Sequence, residues 1–259
     1  MFGVGAGIRV GGFTPISGGG GFDPDAQAFF DRVTAAGGTL TTTEKTAANQ
    51  LVLDMKAAGI WTSMKAVYPM IGASAAACAQ NLKSSSFTGT FTSGWTFAST
   101  GVTGNGTSAY MDSGLNTNTS LTPSSAHISY YVNSTFGVNP LLSNNSDNCF
   151  IQPYTGTYYA GLGSNSYSSV AFTKSSAFYL VSRQSAISVK LIKNNTILLS
   201  DTIVSTTFSS ANVFLNKFAS SYVNAQCAFA SIGDGLTDTQ ASDFYTAVQA
   251  FQTTLSRQV

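Results

Sequence analysis

From about residue 80 to residue 232 the chain is a succession of short runs rich in Phe, Tyr, Val, Ile and Thr, each cut off by Gly, Asn and Ser. The runs cover 87–91, 95–99, 109–112, 126–132, 149–154, 158–162, 169–172, 177–183, 211–218 and 225–232. Aromatic and β-branched side chains fit a pleated, half-buried surface. Many short strands at regular turn spacing predict an antiparallel sandwich or barrel. The clearest piece is SVKLIKNNTILLSDTI, where Asn194 and Asn195 separate two alternating strands. Asn tolerates positive φ, so this dipeptide predicts a hairpin with a type I′ turn.

Both flanks of that region read differently. Residues 23–68 carry helical spacing. Asp23 suits an N-cap, Pro24 the first helical position, and Ala26, Phe29, Phe30 and Val33 form one apolar stripe. Gly37 and Gly38 stop that helix. Thr41 and Glu44 match a capping box that opens a second helix, with Ala47, Leu51, Val52 and Met55 on its apolar face. Glu44 is thereby explained as a cap, not as a catalytic acid. A short third helix is expected over 61–67, ending before Pro69. Near the C-terminus, Thr237 and Gln240 form a second capping box, and Phe244, Val248, Phe251 and Leu255 make one buried face.

Residues 1–22 form a Gly-rich arm in which Phe2, Val4, Ile8, Val10 and Phe13 alternate with glycines. Ordering glycine is entropically costly, so the arm builds no core of its own. Its apolar residues are unneeded in a spacer and point to docking against a partner surface. GVGAGIRVGG loosely mimics a phosphate loop, but no strand precedes it and no capped helix follows at the required spacing. The resulting division is the arm, a helical segment over 23–70, and a sandwich with its closing helix over 71–259.

Charge narrows the function. Only 9% of residues are charged and the net charge is +1, against about 25% charged in an average soluble domain. Clustered Lys/Arg for gripping nucleic acid is absent, as is a polybasic segment for a membrane surface. Glu44 is the single Glu and His127 the single His, which leaves little for acid–base or metal chemistry. Cys78, Cys149 and Cys227 are odd in number and widely spaced, and read as buried free thiols. No apolar stretch reaches the roughly 18 residues of a membrane helix. The N-terminus lacks the basic start and apolar run of a signal peptide, so synthesis in a cytoplasm is expected. The Asn-x-Ser/Thr triplets at Asn105, Asn118, Asn133, Asn144 and Asn194 are chance products of composition. An uncharged, Ser/Thr/Asn-rich surface leaves edge strands prone to self-pairing, which predicts a homo-oligomer or a larger assembly.

Three blocks carry a family resemblance. AFFDRVTAAGGTLTTTEKTAANQLVLDMKAAGIWTSMKAVYPMIG is similar to the helical lead-in of a module recurring in tailed-phage genomes. NLKSSSFTGTFTSGWTFASTGVTGNGTSAYMDSGL resembles the early strands of the concanavalin A-like lectin/glucanase (laminin-G-like) sandwich that follows. ASIGDGLTDTQASDFYTAVQAFQTTL resembles its closing strand, loop and helix. The resemblance spans about residues 23–257 and implies a mostly β, antiparallel jelly-roll fold. It also implies a structural protein of the virion of a bacteriophage, on a fibre, tail appendage or capsid decoration. Other capsid or tail proteins would be its partners, the N-terminal arm its anchor, and a host-surface glycan a further ligand.

Glucanases of this fold draw their acids from one E-x-D-x-x-E-type strand, and this strand region has no Glu. Asp112, Asp147, Asp201 and Asp234 are isolated, so no enzyme is expected. A glycan depolymerase and a purely architectural spike protein are the alternatives. His127 is read as lying on a polar strand face. No cofactor is expected; Asp112, with Asn116 or Asn118, is the one weak calcium candidate. A sugar site needs less: an aromatic platform with a few amides and hydroxyls. Phe150, Tyr154, Tyr158, Tyr159 and Tyr167 cluster in sequence, and Tyr154, Tyr159 and Tyr167 are the candidate carbohydrate-binding residues.

Overall fold

The computed structural model describes residues 21–145 and 149–259. Among them, two large antiparallel sheets pack face to face as the expected jelly-roll sandwich. The first sheet runs, edge to edge, Thr196–Asp201, Ser188–Lys193, Ala177–Ser185, Ala126–Val132, Gln226–Gly233, Gly101–Gly104 and Trp95–Ala98. The second runs Ser168–Ala171, Thr157–Gly161, Phe150–Tyr154, Leu142–Ser143, Asn212–Leu215, Met111–Asn116 and Thr90–Phe91.

Three helices cover the outer face of the first sheet. Pro24–Ala35 starts at Asp23, whose carboxylate accepts from the Asp25 amide at 3.0 Å. Thr42–Ala57 has its complete capping box, and Glu44 also accepts from the Gly72 amide at 2.8 Å. Glu44 is spent on backbone groups, as its position implied. Asp238–Thr254 has the Thr237/Gln240 box and buries Phe244, Val248 and Phe251. Their stripes meet Tyr131, Phe178, Leu180 and Phe229 from the sheet. Ile128, Tyr130, Tyr179 and Val181 from the same strands face the second sheet instead. Successive side chains of a strand alternate faces, so two cores sit back to back. Every residue of Ala126–Val132 is therefore buried.

The expected helix over 61–67 is absent. A single 3₁₀ turn, Trp61–Ser63, leads into a strand, Met64–Tyr68. This strand pairs with the 226–233 strand beyond the point where Gly101–Gly104 stops pairing. Met64 and Val67 enter the helix-side core, Ala66 and Tyr68 the inter-sheet core. A short apolar run buried on both faces carries no period that separates helix from strand; the open ladder edge decided it. The chain thus joins the sheet before residue 71.

Several other expectations are adjusted. The run over 87–91 shrinks to Thr90–Phe91, and Phe87 takes a φ of +58° while its carbonyl accepts from the Tyr68 hydroxyl at 2.6 Å. The run over 211–218 breaks at Asn216, with φ +61°, whose buried side chain accepts from the Tyr130 hydroxyl and donates to the Ala225 carbonyl. The 188–201 hairpin forms with Lys193 opposite Thr196. Positive φ occurs at Asn194 and not at Asn195, so the turn is not the type I′ that the dipeptide predicts. Cys78, Cys149 and Cys227 are all buried. The arm residues Phe2, Val4, Ile8, Val10 and Phe13 lie outside the described residues. Phe22, at its end, packs edge-on against Phe30 at 5.0 Å.

Candidate functional site

Among the described residues, the three long helices pack on the first sheet and none of them covers the outer face of the second. On that face, alternation from Tyr154 back along its strand places Gln152 and Phe150 on one side, with Ile151 turned into the core. The chain reverses at Thr155 and Gly156, where Gly156 takes φ +80°. Tyr154 then lies opposite Thr157, and Gln152 opposite Tyr159. Tyr158, one residue out of phase, is fully buried in the inter-sheet core. The pairing therefore puts Tyr154 and Tyr159 on neighbouring strands of the same face, with ring centroids 6.3 Å apart.

Tyr167 arrives from the loop that follows Gly161. Its ring centroid lies 5.7 Å from Tyr159 and 6.3 Å from Phe150. Phe218 abuts Phe150 from the other side, at 6.2 Å. The Tyr167 loop is tied down from beneath. The buried Arg183 guanidinium donates to the carbonyls of Leu162 and Ile203, each at 2.7 Å. Burial holds its pKa below the usual arginine value, against the pull of Asp201. Gly163 has φ +66°, and its backbone packs so closely that a Cβ would meet the Pro123 carbonyl oxygen at 2.5 Å.

Phe150, Gln152, Tyr154, Tyr159 and Tyr167 together line an open pocket of about 480 Å³. That is within the range of small-molecule sites. Tyr154 and Tyr167 are 42% and 56% exposed, large values for aromatic side chains on a sheet face. The hydroxyls of Tyr154, Tyr159 and Tyr167 make no hydrogen bond to the described residues. The Gln152 amide donates through Nε2 to the Val138 carbonyl at 2.8 Å, which leaves Oε1 free to accept. Among the described residues, no charged side chain lines the pocket. The three candidate tyrosines are thus brought together; Gln152 was missed by sequence reading. The signal was present, because period two from Tyr154 selects it.

The remaining candidates do not join this pocket. Both Asp112 oxygens accept from the Asn212 amide, at 3.0 and 3.2 Å, and one also accepts from the Gly114 amide. Asn116 accepts from the Asn118 amide and donates to Ser210. Among the described residues, no group of three His, Cys, Asp or Glu side chains could hold a metal ion. Asp234 pairs with Lys65 at 3.1 Å, and Asp201 accepts from the Thr202 amide at 2.7 Å. Asp147 lies outside the described residues.

The strand face that carries His127 is polar, with Ser129 and Ser231, but it is closed to solvent. His127 is fully buried beneath the C-terminal helix, 6.0 Å from the Phe244 ring, between the Asp234 carbonyl at 2.6 Å and the Ser231 hydroxyl at 3.1 Å. Ser129 continues the chain of hydroxyls. Burial, only partly offset by the Asp234 carbonyl and charge, pushes its pKa down to about 4. It serves as a neutral core hydrogen-bonding group. Arg257 is likewise internal: it donates to the carbonyls of Pro69, Met70 and Ala228, and burial lowers its pKa to about 10. No helix among the described residues is long and apolar enough to cross a membrane.

The sequence matches no protein-family model and no curated protein. The fold is similar to several solved structures. Domain 4 of AbnA, a GH43 extracellular arabinanase from Geobacillus stearothermophilus solved with arabinotriose, aligns with a TM-score of 0.54 at 13% identity, over 70% of this chain and 98% of that one. The binding domain of Paraclostridial mosquitocidal protein 1 aligns with a TM-score of 0.51 at 9% identity, over 71% and 52%. A structure of botulinum neurotoxin type C, whose cell entry is described as dependent on two ganglioside molecules, aligns with a TM-score of 0.50 at 12% identity, over 74% and 53%. This chain spans about half the length of the two toxin chains. The likeness establishes the β-sandwich.

Proposed function

We propose that this chain is a non-enzymatic structural protein of a bacteriophage virion, on a fibre, tail appendage or capsid decoration, and that its sandwich binds glycans of the host surface. The observation that carries the glycan reading is the open pocket of Phe150, Gln152, Tyr154, Tyr159 and Tyr167, uncharged among the described residues. Aromatic faces stack on the C–H faces of sugars, and amide and phenol groups meet the hydroxyls. A ligand-free architectural role gives no reason to hold three tyrosines together on a sheet face that no described helix covers. Among the described residues the lining has no carboxylate, which supports binding over hydrolysis, since hydrolysis needs two of them across the scissile bond. The structural neighbours solved with arabinotriose or tied to gangliosides support the same reading.

The virion assignment rests on the three resembling sequence blocks. In it, the 1–22 arm docks into a neighbouring capsid or tail protein and several copies assemble together. Antibody labelling of purified particles tests the location; particles without the chain would refute it. Glycan-array and host-polysaccharide binding test the ligand. Tyr154→Ala combined with Tyr159→Ala should reduce binding by tenfold or more, since each stacked ring contributes on the order of 1 kcal/mol. Unchanged binding would remove the pocket from the account. The full chain is the right material, because a fragment beginning at residue 70 would lose the Met64–Tyr68 strand and the helices over the first sheet.

A further inference from the structure

The pocket's rings stand steeply to one another: 75° between Tyr154 and Tyr159, 71° between Tyr159 and Tyr167, and 58° between Phe150 and Tyr167. A flat crystalline polysaccharide presents its sugars in one plane and is matched by coplanar rings. Angled rings act as walls, so one sugar unit stacks on one ring while others close in edge-on. Such a cup suits a chain end or a bend. The hydrogen-bonding groups narrow the choice further. Gln152 spends one amide N–H on the Val138 carbonyl, keeps its second N–H, and presents Oε1 as an acceptor. A sugar hydroxyl can donate to it. A carboxylate cannot, and among the described residues the lining supplies no cation to offset its desolvation.

Building on the glycan reading, we propose that the pocket selects a neutral, hydroxyl-donating sugar unit at the end or bend of a soluble chain, with Gln152 as the specificity-determining residue. It discriminates against uronic-acid glycans and against crystalline surfaces. Gln152 acts through a hydrogen bond worth on the order of a factor of ten in affinity.

Titration calorimetry on the full chain tests this with matched pairs of soluble oligosaccharides, gluco- against glucurono- and galacto- against galacturono-, together with manno- and arabino-oligosaccharides. Microcrystalline cellulose serves as a sedimentation probe. A neutral series should bind, its acidic counterpart should bind at least tenfold more weakly, and cellulose should leave the protein in solution. Gln152→Ala should weaken neutral binding roughly tenfold, and Gln152→Lys, which adds donors and a positive charge, should narrow or reverse the preference. Acidic binding equal to neutral binding, retention on cellulose, or an unaffected Gln152→Ala would overturn this inference and leave the glycan reading standing. No binding in any arm that depends on Tyr154 and Tyr159 would overturn the glycan reading, and this inference with it.

Discussion

The two sheets differ in what lies on their outer faces. The first is covered by three helices, and its strand Ala126–Val132 is buried from end to end. The second leaves Tyr154 and Tyr167 in solvent, around an amide and a third tyrosine. One outer face has become a second core, and its groups serve stability. The other keeps large aromatic rings exposed at a hydrophobic cost. A surface that retains such rings without covering them marks a place for a partner.

Substitutions should separate the two faces, with the largest effects on the covered one. Phe244 touches His127, Phe178 and Phe229 in the helix-side core. Phe244→Ala should cost about 3–5 kcal/mol in urea denaturation, as large-to-small changes in a packed core do. A loss under about 1 kcal/mol would mean that the C-terminal helix is not an integral layer.

Acid should act on the same face. His127 is neutral in the folded state down to about pH 4, whereas the unfolded chain takes up its proton near pH 6.5. The folded-state pKa is the lower one, so its contribution is complete above pH 6.5 and is lost as pH falls towards 4. The loss amounts to about 3 kcal/mol by proton linkage. Denaturation midpoints for wild type and His127→Gln across that range measure it. Equal pH slopes in the two proteins would contradict the burial of this imidazole.

Beneath the bare face, Gly163→Ala forces a side chain into left-handed backbone and against the Pro123 carbonyl. A cost of about 1–3 kcal/mol follows, with weakened glycan binding if the Tyr167 loop shifts. The smallest stability effect belongs to the pocket itself. With Tyr154 exposed and Tyr159 half-buried, Tyr154→Ala with Tyr159→Ala should leave stability within about 1 kcal/mol of wild type while binding falls. A large melting shift would make these rings structural, and the contrast between the faces would collapse.

Much of this was legible residue by residue. Both capping boxes, the apolar stripes of the three long helices and the 188–201 hairpin follow from local rules that the structure keeps. Tyr154, Tyr159 and Tyr167 stood out because they crowd a stretch otherwise made of Gly, Asn and Ser, and Gln152 was within reach of simple alternation. The 61–67 segment was not legible. Its seven residues fit a helix as well as a strand, and the outcome hung on a ladder edge supplied 160 residues later by the 226–233 strand. The burial of His127 was not legible for a related reason: its polar strand face says nothing of exposure, and only the C-terminal helix arriving over that strand makes it dry.

By itself the sequence determined local conformation: where helices start, where strands alternate, and which side chains share a face. Those choices depend on neighbours a few residues away. The tertiary structure alone decided which faces are covered. Coverage sets whether a tyrosine is core or platform, whether a histidine can hold a proton, and at what angles three rings from separate segments meet. These are long-range properties, fixed by packing between elements far apart in the chain.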